Sequence, residues 1–207
     1  MDKTALLVLD IQNGIVDRLK GVLDSTNYLD RLGSTIAAAR AAQIPVIQVT
    51  TGFRETHADV SPRNPMMAAR AREGGGGGAL RESDASTRLH PAVIAAHGGG
   101  DGEEEKEKKK KNIIHVRKRR VSAFHATDLD LVLRSLGVGA LAVAGVATGG
   151  AVLSTVRQAA DLDYGVAVLA DLCADADPEV HDVLTRSVFP RQAAVLTAEE
   201  WVRRLRE

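Results

Sequence analysis

The sequence contains few aromatic residues and a single cysteine. Phe, Trp and Tyr make up only 3% of its 207 residues, so we expect a core built from Ala, Val, Leu and Ile. Cys173 has no second cysteine to pair with, which excludes an internal disulfide and favours a reducing compartment. The formal net charge is zero, so the chain as a whole has no electrostatic attraction to nucleic acid.

Long apolar segments are absent as well. No run approaches the roughly 18 residues that a membrane-spanning helix needs. The N-terminus also lacks the charged and then apolar pattern of a classical secretion signal. We therefore predict a cytoplasmic protein with neither membrane nor nucleic-acid partners, and leave non-classical secretion open. The length is typical of one domain, spanning residues 1–207, with a substantial core.

Short apolar runs alternate with segments of helical periodicity. This alternation predicts an α/β fold, a three-layer sandwich whose central, mainly parallel sheet is doubly wound. The predicted strands cover residues 4–9, 46–49, 112–116, 140–144, 166–170 and 193–196. The predicted helices cover residues 28–42, 148–163, 178–188 and 198–205, with a further helix that begins at Thr127.

Two stretches in the middle of the chain do not fit this alternation. Residues 74–78 are all glycine, and residues 98–111 contain a second glycine run followed by a wholly charged segment. Such compositions bury too little apolar surface to offset the entropy lost on ordering. We predict flexible surface insertions at both places. The role of the charged segment stays open.

Polar residues follow three of the predicted strands. Asp10 ends the first strand, Lys118 follows the third, and Val146, Ala147 and Thr148 follow the fourth. Ligands of doubly wound sheets bind beyond the carboxyl ends of the strands, where the strand order reverses. We therefore expect these segments to converge on one site, where a carboxylate beside an ammonium group forms an acid–base couple.

Gly149 and Gly150 lie in the first turn of the next predicted helix, and we expect their N–H groups to be available to an oxyanion or a carboxylate. Spacing alone leaves simpler interpretations open for all of these residues. Asp10 also suits a helix cap, Lys118 a solvated surface cation, and the two glycines close packing of a helix on a strand.

Three motifs resemble those of the isochorismatase-like hydrolase superfamily. Residues 7–13 match its first strand and catalytic aspartate, and residues 118–124 resemble its Lys-x-x-x-Ser-Ala-Phe motif. Residues 145–148 resemble its Gly-Val-x-Thr turn, for which the resemblance implies a cis peptide between Val146 and Ala147. It also implies catalytic roles for Asp10 and Lys118, no cofactor, and assembly as a homodimer or homotetramer.

The chain departs from this resemblance at the nucleophile. Most members of the superfamily use an Asp–Lys–Cys triad, and the position of their cysteine is Ala151 here. Cys173 follows a different strand, and we expect it to be a buried structural residue. The segment around His57 lacks the spacing of the metal ligands in related nicotinamidases, so we predict no metal site.

True isochorismatases also lack the cysteine, and they cleave a vinyl ether by protonation. The resemblance thus implies that Asp10 is a general acid, that Lys118 tunes it, and that Gln12 orients nearby groups. Further candidates for contact with a small-molecule substrate are arginines that suit carboxylates and phenylalanines that suit an apolar wall. These candidates are Arg54, Arg63, Arg120, Phe53 and Phe124.

Two other hypotheses remain open at this stage. The chain is either a catalytically inactive member that binds a ligand or partner through the same pocket, or a cysteine hydrolase of amidase type whose nucleophile has been substituted at Ala151. Gly149 and Gly150 also differ from the residues that usually precede the cysteine, which makes a single engineered change less attractive.

Overall fold

The computed structural model describes residues 3–72, 79–98 and 113–205. Its strands are β1 (Lys3–Leu9), β2 (Val46–Thr51), β3 (Ile114–Lys118), β4 (Val138–Val146), β5 (Gly165–Ala174) and β6 (Ala194–Leu196). They form one sheet in the order β3-β2-β1-β4-β5-β6, and every pairing is parallel. The predicted α/β fold with a doubly wound parallel sheet is confirmed.

Helices cover both faces of this sheet. In chain order they are α1 (Asn13–Ser25), α2 (Tyr28–Ala41), α3 (Pro65–Arg72), α4 (Pro91–Ala96), α5 (Leu129–Ser135), α6 (Leu153–Asp161), α7 (Pro178–Val183) and α8 (Ala198–Arg204). A helical turn at Thr148–Val152 precedes α6, and a second one at Leu184–Val188 continues α7. The sequence predictions missed α1, α3 and α4, and they placed Lys118 after β3, whereas it is the last residue of that strand.

The strands of the central sheet are buried on both sides. Leu7 and Leu9 of β1 pack with the helices α5 and α6, whereas Leu6 and Val8 pack with α1, α2 and α8 on the other face. Because side chains of a strand alternate between its two faces, a continuous apolar run is what a strand in this position requires. The core is mainly aliphatic, as the scarcity of aromatic residues predicts.

The strand order reverses between β1 and β4, which pair directly. Leu9 lies opposite Gly145, and Thr51 lies opposite Lys118 in the β2–β3 pairing. Gly145 has a φ of 132°, and a Cβ atom there would lie 2.3 Å from the carbonyl oxygen of Leu9. Only glycine permits this close approach of β4 to the carboxyl end of β1.

The predicted insertion at residues 74–78 lies outside the described residues, as does that at 98–111 except for Gly98. Across residues 3–72, 79–98 and 113–205, no helix combines the length and apolar character needed to cross a membrane.

Candidate active site

A buried ion pair lies at the carboxyl ends of β1 and β3. Lys118 Nζ is 2.8 Å from Asp10 Oδ2, and the two residues are only 2% and 4% exposed. Asp10 has a left-handed φ of 58°, because the chain turns sharply where β1 ends. The predicted proximity of Asp10 and Lys118 is confirmed, and the interpretation of Lys118 as a solvated surface cation is wrong.

Thr51, the last residue of β2, contacts both members of this pair. Its hydroxyl accepts a hydrogen bond of 2.7 Å from Lys118 Nζ and donates one of 3.1 Å to Asp10 Oδ1. Lys118 also donates to the carbonyl oxygen of Arg120 at 3.4 Å. The buried charges are therefore paired and hydrogen-bonded, which is the condition under which a protein tolerates them.

Gln12 is fully buried behind this group. Its Oε1 accepts a hydrogen bond of 2.7 Å from the N–H of Thr51, and its Nε2 donates one of 3.0 Å to the Thr51 carbonyl. Nε2 also donates to the carbonyl of Ser86 at 3.3 Å. Gln12 does not line the cavity described below, so its contacts orient the site through the backbone of Thr51.

The ion pair faces a cavity of about 230 Å³. Ala151, Gly150, Val146 and Ala147 form its β4 side, and the peptide between Val146 and Ala147 is cis, as the family resemblance implies. Asp175 lines the same cavity. Asp10, Lys118 and Ala151 thus share one cavity, which opens at the point where the strand order reverses.

The turn after β4 differs from the expectation in one respect. The N–H of Gly149 donates to Asp175 Oδ2 at 2.7 Å, and the N–H of Gly150 donates to the carbonyl of Ala147 at 3.0 Å. The prediction that these two N–H groups are available to an oxyanion is therefore wrong. Thr148 is buried and its hydroxyl contacts His181 Nδ1 at 2.9 Å, away from the cavity lining.

The arginines selected from the sequence lie elsewhere. Arg54 and Arg63 are exposed loop residues, and the guanidinium of Arg120 donates to the carbonyl of Asp59 at 2.9 Å. None of the three lines the cavity, which instead contains Arg18 of α1 and Arg70 of α3. The sequence reasoning missed both, because nothing in their local pattern distinguishes them from ordinary surface arginines of a helix.

The two phenylalanines are core residues in this structure. Phe53 is fully buried against Met67 and Leu80, which themselves line the cavity, so it supports the wall from behind. Phe124 packs against Tyr164 with ring centroids 5.7 Å apart, and it does not line the cavity. The apolar wall consists of Ile15, Leu19, Met66, Met67, Leu80 and Val121.

Cys173 offers no replacement for the missing thiol. It is buried in the core beneath α6, with its Sγ 3.9 Å from the carbonyl of Val143, and it does not line the cavity. Burial raises the pKa of this thiol to about 12, so almost no thiolate forms at neutral pH. The prediction that Cys173 is buried is confirmed, but its placement after the strand is wrong, because β5 runs from Gly165 to Ala174 and includes it.

Metal ligands do not cluster in the described part of the chain, where no group of three or more His, Cys, Asp or Glu side chains could hold an ion. His57 lies in a loop, where its Nε2 contacts the carbonyl of Ala79 at 3.2 Å.

Comparison with known proteins identifies the family of this chain. The family model for the Isochorismatase domain matches residues 4–200. The chain belongs to the isochorismatase family. It is 30% identical over 197 residues to an uncharacterized isochorismatase family protein, YecD, of Escherichia coli O157:H7, covering 95% of this chain and 93% of that protein.

Other members of the isochorismatase family carry more specific names. A ureidoacrylate amidohydrolase, RutB, of Pseudomonas syringae is 32% identical over 206 residues, covering 95% of this chain and 77% of that protein. Among solved structures, a cysteine hydrolase from Pseudomonas syringae has the same fold, with a TM-score of 0.79 and 24% identity over 99% of this chain and 92% of that one.

Proposed function

We propose that this isochorismatase-family hydrolase cleaves a small anionic substrate, such as the vinyl ether isochorismate, by acid–base chemistry without a covalent intermediate. The observation that carries the proposal is the buried pair of Asp10 and Lys118, 2.8 Å apart, facing a cavity in which Ala151 has no reactive group. The pair supplies a carboxyl group that can take up and give a proton, held beside a cation. Nothing at position 151 can form an acyl-enzyme.

The proposed reaction begins when Asp10, ionised in the pair with Lys118, takes up a proton from solvent. Asp10 gives its proton to the terminal vinyl carbon, which leaves an oxocarbenium ion at the ether carbon. A water molecule adds to that carbon and returns a proton to Asp10, and the resulting hemiketal breaks down to pyruvate and an alcohol. Lys118 stabilises the Asp10 carboxylate that exists between the two proton transfers.

Two arginines in the cavity lining favour the proposal that the substrate is an anion. Arg18 and Arg70 line the cavity together with the apolar wall, and a planar guanidinium binds a carboxylate through two parallel hydrogen bonds. We propose that they take the role for which the sequence suggested Arg54, Arg63 and Arg120. A small molecule with a carboxylate and an apolar body suits this combination.

The second candidate function is hydrolysis of an amide. The relatives named ureidoacrylate amidohydrolase favour it, as does the fold shared with an N-carbamoylsarcosine amidase of Thermoplasma acidophilum (TM-score 0.69, 20% identity over 95% of this chain and 97% of that one). In this case Ala151 marks a lost nucleophile. Ala151→Cys would then create amidase activity, because Asp10 and Lys118 are placed to activate a thiol.

One assay separates these functions. The wild-type protein is incubated with isochorismate and with ureidoacrylate, and pyruvate and ammonia are each measured with a coupled NADH-dependent enzyme. We expect pyruvate and no ammonia. Ala151→Cys is assayed in parallel. Ammonia release by this variant, without pyruvate release by the wild type, would favour the amidase with a lost nucleophile. Tight binding of a carboxylate without turnover of either compound by either protein would favour a non-catalytic binding protein. Assembly as a homodimer or homotetramer and a cytoplasmic location stay predictions.

A further inference from the structure

Thr51 occupies a position that no sequence motif indicates. Its hydroxyl lies between Asp10 and Lys118, at 3.1 Å from Asp10 Oδ1 and 2.7 Å from Lys118 Nζ. Thr51 is only 4% exposed, yet it lines the cavity beside both residues. Because this buried hydroxyl contacts both charged groups, its hydrogen bonds must change whenever one of them gains or loses a proton.

The three groups differ in the hydrogen bonds they can make. The Lys118 ammonium only donates, and the ionised Asp10 carboxylate only accepts. A protonated Asp10 has an O–H that needs an acceptor, which Lys118 cannot provide. The Thr51 hydroxyl has one hydrogen and two lone pairs, so it can serve as a donor to the carboxylate or as an acceptor for the acid.

We infer that Thr51 is a positioning residue that keeps Asp10 hydrogen-bonded in both of its protonation states. When Asp10 is ionised, the Thr51 hydroxyl donates to Oδ1, as the structure shows. When Asp10 is protonated, the hydroxyl turns about its Cβ–Oγ1 bond and accepts from the acid, while it continues to accept from Lys118. No proton passes through Thr51, and only the direction of one hydrogen bond reverses.

This role rests on the proposed function, because it matters only if Asp10 exchanges a proton during turnover. The hydrogen bonds of Gln12 to the Thr51 backbone support this role. Gln12 holds the N–H and the carbonyl of Thr51 at 2.7 and 3.0 Å, so the hydroxyl is delivered from a fixed backbone. An unbonded buried acid would instead be free to rotate, and misplacement of a reacting group is costly in rate.

The chain provides a matched control in the preceding residue. Thr50 is also a buried threonine of β2, but its side chain points to the other face, where its hydroxyl contacts His115 Nε2 at 2.8 Å. It does not line the cavity. Thr50→Val therefore removes a buried hydroxyl from the same strand without touching the ion pair.

The experiment compares kcat and KM for isochorismate in the wild type, Thr51→Val, Thr51→Ser and Thr50→Val, with a melting temperature for each. Valine replaces the hydroxyl with a methyl group of similar size. We expect Thr51→Val to lower kcat by about 10-fold or more, part of the about 10²–10⁴-fold that general acid catalysis contributes, with KM changed less than about 2-fold. We expect Thr51→Ser to restore most of kcat.

A Thr51→Val variant with normal kcat would overturn the inference, as would an inactive Thr51→Ser variant or an equal loss in Thr50→Val. If Thr51→Val does not fold, Thr51→Ala replaces it in the comparison with serine. Asp10→Asn is assayed in parallel. If Asp10→Asn loses activity and Thr51→Val does not, only the role of Thr51 is overturned. If the wild type itself is inactive, the proposed function and this role are overturned together.

Discussion

The side-chain amide of Gln12 is hydrogen-bonded to both backbone polar groups of Thr51, with Oε1 accepting from its N–H and Nε2 donating to its carbonyl. At Thr51 the chain of β1 has already turned away from β2. The Gln12 amide therefore makes the two backbone hydrogen bonds that a neighbouring strand would make there. Since Thr51 contacts both Asp10 and Lys118, this arrangement fixes the site from behind.

Gln12→Ala removes both contacts and leaves two buried backbone groups without a partner. Each such group costs about 1–3 kcal/mol, so we expect a clear loss of stability in urea unfolding. We also expect kcat for isochorismate to fall more than the affinity, because Gln12 does not line the cavity. Gln12→Glu is the control, because it keeps the acceptor for the N–H of Thr51. If Gln12→Ala changed KM as much as kcat, or more, the result would contradict this account.

Cys173 is expected to be chemically inert in the folded protein. Burial raises its pKa to about 12, and it is only 5% exposed. A disulfide reagent such as dithionitrobenzoate should therefore label it only after denaturation. Cys173→Ala should retain the wild-type kcat. Rapid labelling of the native protein would contradict the burial of the thiol, and loss of activity in a folded Cys173→Ala variant would show that the thiol contributes to the reaction.

His97 should make the stability of the fold depend on pH. Burial, and then the charge of Arg40, lower its pKa from the ordinary 6.5 to about 4. The unfolded chain therefore binds a proton as the pH falls through 6.5, whereas the folded chain does so only near 4. The stabilising contribution is complete above pH 6.5 and is lost as the pH falls towards 4, by up to about 3 kcal/mol at 1.4 kcal/mol per pKa unit.

Urea unfolding of the wild type and of His97→Gln at pH 7.5 and pH 5 measures this contribution. His97 contacts Arg40 and Gln48 at 3.0 and 3.1 Å, and glutamine keeps a polar group beside them without titrating. The wild type should lose more stability than the variant between the two pH values. Equal losses would show that His97 does not carry the effect.

Gly145 should not tolerate a side chain. Its φ is 132°, and a Cβ atom would lie 2.3 Å from the carbonyl oxygen and 2.6 Å from the nitrogen of Leu9 in the paired strand. Gly145→Ala must therefore separate β1 from β4, and the backbone strain alone costs about 1–3 kcal/mol. Gly21→Ala is the control, because a Cβ there meets nothing within 4 Å.

Gly21 lies within α1, where alanine is favoured over glycine by about 1 kcal/mol. Thermal unfolding followed by circular dichroism should show a raised melting temperature for Gly21→Ala and a strongly lowered one, or no folded protein, for Gly145→Ala. A Gly145→Ala variant as stable as the wild type would mean that the two strands do not approach as closely as described.

The sequence was sufficient for the architecture and for the Asp10–Lys118 pair. Apolar runs that end in polar residues identify buried parallel strands, and the carboxyl ends of such strands meet at one edge of a sheet. The three family motifs then select Asp10 and Lys118 among many charged residues. Helix α1 was missed because Gly14, Gly21 and its many charged residues weaken the helical pattern.

Local patterns could not identify Thr51, Arg18 or Arg70. Threonine is an ordinary strand residue, so its position in β2 gives no sign of a hydroxyl beside an ion pair. Helical arginines are mostly exposed, and only the packing of α1 and α3 around the cavity brings Arg18 and Arg70 to it. These contacts depend on the relative placement of distant segments, which periodicity does not encode.

The most direct test of the account is the rate of pyruvate release from isochorismate by the wild type, Asp10→Asn and Asp171→Asn. Asp171 is the matched control. It belongs to β5 and pairs with a cation, Arg31, at 3.1 Å, but it does not line the cavity. We predict that Asp10→Asn folds but loses about 10²–10⁴-fold in kcat, while Asp171→Asn keeps the wild-type rate. Turnover by a folded Asp10→Asn at the wild-type rate would contradict the assignment of Asp10 as the general acid.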